Sequence, residues 1–313
     1  MQTRRIRFNQ IDFDDDSFSL APPGLESISA KLKESIKRTG ILHPPIVREK
    51  REECFQIISG WKRLRAAKKS GRTCCDCLVM TASATVLDGL AIVLEEILLN
   101  GKINPVEQAI FFRKVLQETD DNEAAERFLP PLGFPPRPNL LKRLIALLNL
   151  EEPLVVAVHK GRLDEKVALE LGKLDFGDRM ALFEVINLLH LSVGNQKKLT
   201  ISSRELAVRS NSSIRQILSD PEAEAILNHP EANLPQKAAN LMAWINRKRF
   251  PRLSEAEQEF RRFTGKFQLP KGVSLSHSPS FEKDELTLTI TVQDQEKLQE
   301  LWPKLEQILS RER

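Results

Sequence analysis

The sequence lacks any long apolar run. No stretch of the 313 residues approaches the ~18 apolar residues that a membrane span needs, and the opening residues, MQTRRIRFNQIDFDDD, contain no apolar core of a secretory signal. We therefore expect a cytoplasmic protein without a membrane partner. With 41% hydrophobic and 29% charged residues, the composition is that of a folded globular protein long enough for two or three domains.

Cysteine is also scarce. Three of the four cysteines, Cys74, Cys75 and Cys77, are clustered, and Cys54 lies some twenty residues earlier. If the cluster lies on a strand, Cys75 and Cys77 share one face and Cys74 lies on the other, and His43 is the only histidine nearby. Reduced, partly buried thiols are therefore favoured, with zinc ligation as the alternative.

The chain has little net charge, only +4. Positive charge is instead local, because the segment from Arg48 to Arg72 has nine Lys or Arg residues against three Glu. Affinity for a polyanion would have to come from such patches rather than from the whole protein, and it would fall steeply with salt.

Within this basic segment, the stretch FQIISGWKRLRAA predicts a buried strand that passes through Ser59-Gly60 directly into a helix. The first N–H groups of a helix have no partner within it, and the helix dipole adds partial positive charge there. Gly60 allows a close backbone approach, and guanidinium groups can bind phosphate oxygens in pairs. The pattern predicts an anion site; a solvated basic helix is the simpler alternative.

Two segments carry a resemblance to a known family. GILHPPIV, residues 40–47, and GWKRLRAA, residues 60–67, resemble the GxLQP and GERRxRA motifs of the ParB/sulfiredoxin-like fold, in particular the N-terminal domain of ParB partition proteins. A third stretch, LEEILLNGKINPVEQA at residues 94–109, is similar to the ParB pattern ENxQRxxLNPxEEA. The resemblance covers about residues 20–165.

The resemblance implies a nucleotide site for CTP, or another nucleoside triphosphate, with magnesium. Glu96 would help to hold the magnesium ion. The residues predicted to bind the nucleotide and its phosphates are Gly40, Leu42, His43, Pro44, Ser59, Gly60, Trp61, Lys62, Arg63 and Arg65.

Some positions depart from the family pattern. Trp61 stands where ParB proteins usually have Glu, Ile97 where they have the Asn tied to hydrolysis, and Asn100 where they have an Arg. These replacements favour binding over turnover and leave a weak, CTPase-like activity open. No cysteine lies between Trp61 and Arg65, which disfavours a sulfiredoxin.

The predicted fold class is α+β. Residues 1–103 are expected to form the ParB-like α/β domain and 104–210 a helical region. Residues 211–267 would extend the helices, and 268–313 would form a small ββα unit. In this last unit, apolar residues alternate from Leu286 to Val292 and a striped helix follows, so we expect it to dock on the body or to pair with another copy.

A helix-turn-helix-like pair is predicted at residues 122–150, with Asn122 capping the first helix and Asn139 the second. The connection LPPLGFPPRP is long for this motif, so a plain helical hairpin is the alternative. The residues predicted to bind DNA are Arg137, Asn139, Lys142 and Arg143.

Together these features predict a ParB-like, DNA-associated protein of chromosome or plasmid segregation or of transcriptional regulation, in which nucleotide binding switches DNA binding. The expected partners are DNA, a second copy of the chain, and a partition ATPase or other protein, and the expected location is the nucleoid. The alternatives are a ParB-fold nuclease or kinase, and an adaptor without nucleotide. A nuclease would need gathered carboxylates, whereas Asp12, Asp14, Asp15 and Asp16 are predicted to lie in a loop.

Overall fold

A computed structural model describes residues 1–22, 24, 28–51, 53–81, 83–267, 269–278, 281 and 285–310. They group into two compact units, Met1–Asp175 and Phe176–Arg313, which are described separately. The α+β fold class is confirmed. The finer domain boundaries predicted near residues 103, 210 and 267 stay predictions.

The first unit is built on a mixed five-stranded sheet. Its strands are β1 (Gln2–Arg7), β2 (Ile11–Asp12), β3 (Ile46–Arg51), β4 (Cys54–Ser59) and β5 (Cys74–Met80). The spatial order is β1-β5-β3-β4-β2, in which β5 and β3 run parallel, as do β4 and β2, while the β1–β5 and β3–β4 pairs are antiparallel. β3 begins within the first motif, and β4 ends just before the second. Their antiparallel pairing, in which Ile46 lies opposite Ser59, therefore brings the two motifs together at the same end of the two strands.

Helices cover both faces of this sheet. On one face, Phe55 and Ile57 of β4 join an apolar cluster with α1 (Ala30–Thr39) and α2 (Trp61–Lys69). On the other face, Ile58 approaches Gly89 of α3 (Val86–Leu99). Because β4 is covered on both sides, four of its six residues are apolar, and the side chains from Phe55 to Ile58 are all buried.

The N-terminal strands were not predicted. Residues 2–7 alternate poorly because most of β1 is exposed, and only Ile6 is buried. Asp12 lies in β2 rather than in a loop, while Asp14, Asp15 and Asp16 follow the strand in irregular structure, as expected. Such short or polar edge strands are defined by their pairing partners, and periodicity alone does not reveal them.

The remainder of the first unit is helical. Its helices are α4 (Pro105–Val115), α5 (Asp121–Phe128), α6 (Pro138–Ile145), α7 (Glu152–His159) and α8 (Glu165–Leu171). Asn104 caps α4, since its side chain accepts a hydrogen bond from the Val106 amide.

The two caps predicted for the helix pair are wrong. Asp120, not Asn122, caps α5 by accepting from the amides of Asn122 and Glu123. Asn139 lies inside the first turn of α6, which begins at Pro138 after an Arg137 whose side chain makes no capping bond. Proline fits the first helical position because that amide would have no intrahelical acceptor, and the helix starts two residues earlier than a cap at Asn139 would place it.

The second unit consists of helices followed by the small ββα arrangement. Its elements are α9 (Phe176–Leu188), α10 (Val193–Ser210), α11 (Ile214–Leu218), α12 (Pro221–Leu227), α13 (Leu234–Arg249), α14 (Pro251–Lys266), β6 (Val273–His277), β7 (Leu286–Ile290) and α15 (Gln295–Ser310). Leu286 and Leu288 of β7 are 54% and 38% exposed, because a two-stranded sheet covers little surface. The expectation that this unit docks on the body or pairs with another copy stays a prediction. Among the described helices, none is long and apolar enough to cross a membrane.

Candidate anion-binding site

The turn at Gly60 links β4 to α2. Ser59 ends the strand, and Gly60 takes the N-cap position of the helix with φ 89° and ψ 18°. The Leu64 amide donates to the Gly60 carbonyl at 2.9 Å and closes the first helical turn. No side chain caps this helix start, so the amides of its first turn face outward without a capping acceptor.

Two features require glycine at position 60. Its φ lies in the left-handed region, which side chains with a Cβ disfavour. A Cβ at this position would also lie 2.8 Å from the Cβ of Pro45, closer than carbon atoms approach. The turn is thus pressed against the segment that carries the first motif.

Arg63 ties the two motifs together. Its Nη1 donates a hydrogen bond to the backbone carbonyl of His43. Its Nη2 lies 3.1 Å from the position that a Cβ on Gly60 would take, so the guanidinium group lies over the turn. The Leu78 amide donates to the Pro45 carbonyl at 2.8 Å and anchors the same segment to β5.

Arg65 is engaged with the protein itself. Its guanidinium carbon lies 3.2 Å from the centroid of the Trp61 ring, and Nη2 donates to the Phe13 carbonyl at 3.3 Å. The Lys68 amine lies 4.0 Å from the centre of the Phe13 ring. The Trp61 Nε1 is buried and has no hydrogen-bond partner in the described part of the chain. This stack holds α2 against the loop after β2.

The predicted site residues of the first motif have two different environments. Gly40 ends α1 with φ 80°, and the Arg72 guanidinium lies 3.2 Å from the position that a Cβ would take there. Leu42, His43 and Pro44 are exposed. Arg72 was not among the predicted site residues, and only its membership of the basic segment pointed to it.

The predicted magnesium ligand lies on α3. Glu96 is in the last turns of α3, and the side chain of Asn100 donates to its backbone carbonyl at 2.6 Å. α3 contacts the sheet at Gly89, seven residues earlier and therefore about 10 Å away along the helix. Among the described residues, no three His, Cys, Asp or Glu side chains gather closely enough to hold a metal ion. The role of Glu96 stays a prediction.

The residues predicted to contact DNA share the exposed side of α6. Arg137, Asn139, Lys142 and Arg143 are all exposed, while Leu141 and Leu144 face the core. A short 3-10 helix, Pro130–Leu132, and Gly133 with φ 79° fill part of the connection between α5 and α6. The structure supplies the helix pair with a basic outer face, and its use as a DNA reader stays a prediction.

Comparison with known proteins agrees with these motifs. Residues 24–93 match the family model of the ParB N-terminal domain. The probable chromosome 1-partitioning protein ParB of Deinococcus radiodurans is 29% identical over 164 residues, which are 52% of this chain and 54% of that protein. The chain therefore spans about half the length of this curated relative.

Two solved structures of the C-terminally truncated chromosome-partitioning protein ParB from Caulobacter crescentus also match, each with 20% identity. The match to the structure complexed with CTP-gamma-S covers 59% of this chain and 99% of the Caulobacter chain, with a TM-score of 0.27. The one complexed to the centromeric parS site covers 63% and 98%, with a TM-score of 0.36.

The sheet, the glycine turn and the surrounding cations define an α/β domain in which a helix begins without a side-chain cap beside basic residues. Pro45 of the first motif packs against this turn, and Arg63 of the second motif donates a hydrogen bond to the His43 carbonyl of the first. Residues 24–93 are thus similar to the ParB N-terminal domain, and about half of the chain resembles a ParB partition protein.

Proposed function

We propose that this chain is a DNA-associated, nucleotide-binding protein of chromosome or plasmid segregation or of transcriptional regulation. A nucleoside triphosphate at the Gly60 turn acts as the switch on DNA binding. The observation that carries the proposal is the uncapped start of α2, which is held against the first motif by Gly60 and Arg63.

The local chemistry suits a phosphate chain. The free amides of the first turn and the helix dipole favour a negative group at this point. Lys62 is exposed beside them and adds a further positive charge, and the guanidinium of Arg63 lies over the turn. The ParB motifs imply CTP with magnesium, so CTP is the first compound to test.

Binding is expected to proceed without fast turnover. Ile97 replaces the Asn of the family pattern, and Asn100 replaces its Arg. The Asn100 side chain also donates a hydrogen bond to the Glu96 carbonyl. Any triphosphatase activity would therefore be weak.

One observation favours a second candidate, an adaptor that no longer binds nucleotide. Arg65, predicted as a phosphate ligand, is bound to Trp61 and to the Phe13 carbonyl, and Arg63 already donates to His43. In an adaptor these arginines would serve the fold alone.

The nucleotide test compares two lysines of the same helix. Lys62→Ala removes a charge from the first turn of α2, whereas Lys69→Ala removes one from its last turn, and both side chains are exposed. Calorimetry with CTP and magnesium should show binding to the wild type, at least several-fold weaker binding to Lys62→Ala, and unchanged binding to Lys69→Ala.

The same titrations with ATP, GTP and UTP establish the base preference, and a phosphate-release assay tests turnover. No heat with any of the four nucleotides in a folded sample would discard the switch and leave the adaptor. Rapid phosphate release would instead support the enzyme alternative.

The DNA part of the proposal rests on α6. Its exposed cations Lys142 and Arg143 lie on the side opposite the buried Leu141 and Leu144. Lys142→Ala and Arg143→Ala should each weaken DNA binding and reduce the slope of log affinity against log salt by about 1. Lys166→Ala, exposed on α8, is the control, and an equal loss in it would contradict a specific role for α6.

The proposal also includes pairing of two copies into a homodimer. It further includes a partition ATPase or other protein as a partner and a location at the nucleoid. The exposed apolar side chains of β7 and α15, namely Leu286, Leu288, Leu298 and Trp302, support pairing of two copies. Light scattering that compares the full chain with a chain ending near Phe267 tests this pairing. The same number of chains per particle in both samples would discard it.

A further inference from the structure

Two thiols on β5 lie in contact. Cys75 and Cys77 are two residues apart on one strand, so their side chains share a face, and their Sγ atoms are 3.4 Å apart. Cys74 lies on the opposite face, where the Arg5 Nε donates to its Sγ. The predicted separation of the three cysteines is thereby confirmed, and all four cysteines of the chain are free thiols.

The strand geometry favours a bridging atom over a direct disulfide. Two residues apart on a strand, Cα atoms are about 6.6 Å apart, close to the upper limit for disulfides. For sulfur bonds of about 2.3 Å, a separation of 3.4 Å gives an angle of about 95° at a bridging atom. Such an angle is typical of a pyramidal centre rather than of a linear or tetrahedral one.

The number of ligands also selects the bound species. Zinc takes four ligands in protein sites, and within the described ranges no third His, Cys, Asp or Glu joins this pair. Trivalent arsenic, a soft centre, is satisfied by two protein sulfurs and one group of its own.

The two thiols differ in access. Cys75 is half-buried, whereas Cys77 is fully buried in the apolar cluster below α1 and α2. The hydrogen bond from Cys77 lowers the pKa of the Cys75 thiol, although burial opposes this effect. Cys75 is therefore the first nucleophile, and Cys77 closes the ring from beside it.

We infer that Cys75 and Cys77 form a dithiol site for a thiophilic trivalent centre, with an organic arsenoxide as its model ligand. In the reaction, each thiol sulfur forms a bond to arsenic, and the arsenic–oxygen bond breaks. The two thiol protons leave with that oxygen as one water molecule. No oxidant is needed because arsenic stays trivalent.

The test is intact-mass spectrometry of the full chain after treatment with phenylarsine oxide. We expect one adduct per chain, with a mass gain equal to the reagent less one water. It should survive excess mercaptoethanol and be released by dimercaptopropanol, because a monothiol does not compete with a chelating pair. An adduct lost to mercaptoethanol, or no adduct at all, would overturn the inference.

Variants locate the site. Cys75→Ser and Cys77→Ala should abolish the resistant adduct, while Cys54→Ser and Cys74→Ser should keep it. Cys77→Ala keeps the buried position apolar, and Cys75→Ser changes the more accessible side chain, so the two variants test the site through different perturbations of the fold. A resistant adduct in both Cys75→Ser and Cys77→Ala would place the site elsewhere and refute the assignment.

Discussion

The strands β4 and β7 have similar apolar content but opposite environments. In β4, Phe55 and Ile57 are 1% and 2% exposed because helices cover the sheet on both faces. In β7, Leu286 and Leu288 remain largely exposed although their alternation with threonine is stricter. An alternating pattern thus predicts a strand, but burial depends on what the rest of the chain places over it.

The largest expected difference between the two regions comes from matched leucines. Leu64→Ala, in α2 and fully buried, should destabilise the chain by about 2–5 kcal/mol through lost contacts and a cavity. Leu286→Ala should change stability by only about 0.5 kcal/mol or less. Thermal unfolding followed by circular dichroism measures both. Equal losses would show that β7 is covered in solution, for example by a second copy.

Helix glycines provide a second comparison. A Cβ at Gly89 of α3 would lie 2.5 Å from the ring of Phe18, so Gly89→Ala should cost about 1–3 kcal/mol through overpacking. At Gly194 of α10 nothing lies within 4 Å of the added carbon, so Gly194→Ala should be neutral or stabilise by up to about 1 kcal/mol. Urea unfolding distinguishes the two, and a stabilising Gly89→Ala would contradict the close packing of α3.

The smallest expected effect depends on pH. The backbone amide and hydroxyl of Thr85 and the guanidinium of Arg127 lower the pKa of Asp88 to about 2. Because the folded state favours the carboxylate, its contribution is present above about pH 4 and is lost as the pH falls to about 2. Removing this cap and exposed ion pair with Asp88→Asn should cost about 1 kcal/mol or less near neutral pH.

Unfolding midpoints of wild type and Asp88→Asn at several pH values test this expectation. The two should converge near pH 2. A difference that grows on acidification would reverse the sign and refute the assignment.

Local chemistry explains which elements could be predicted. The stretch from Phe55 to Ala67 carries its own strand, turn and helix information, and the structure places Gly60 at the turn as expected. The helix start capped by Asn104 and the helix end at Gly40 likewise depend on short-range chemistry. These assignments needed no knowledge of distant partners.

The missed features depend on distant partners. β1 exists because it pairs with β5, some seventy residues away, and β2 because it pairs with β4. The contact of Arg65 with Phe13 brings together residues 52 positions apart, so its engagement could not be read from the helix alone. Arg72 beside Gly40 was missed for the same reason.

The arginines of β1 have a consequence for the chain in concentrated solution. β1 is an outer strand of the sheet, and Arg4, Arg5 and Arg7 are exposed along it, while the opposite edge is the two-residue β2. An edge strand that carries several positive charges repels the same strand on another molecule. An edge strand of only two residues offers almost no backbone groups for pairing with another chain. The sheet is thus protected against fibrous aggregation when many copies crowd together.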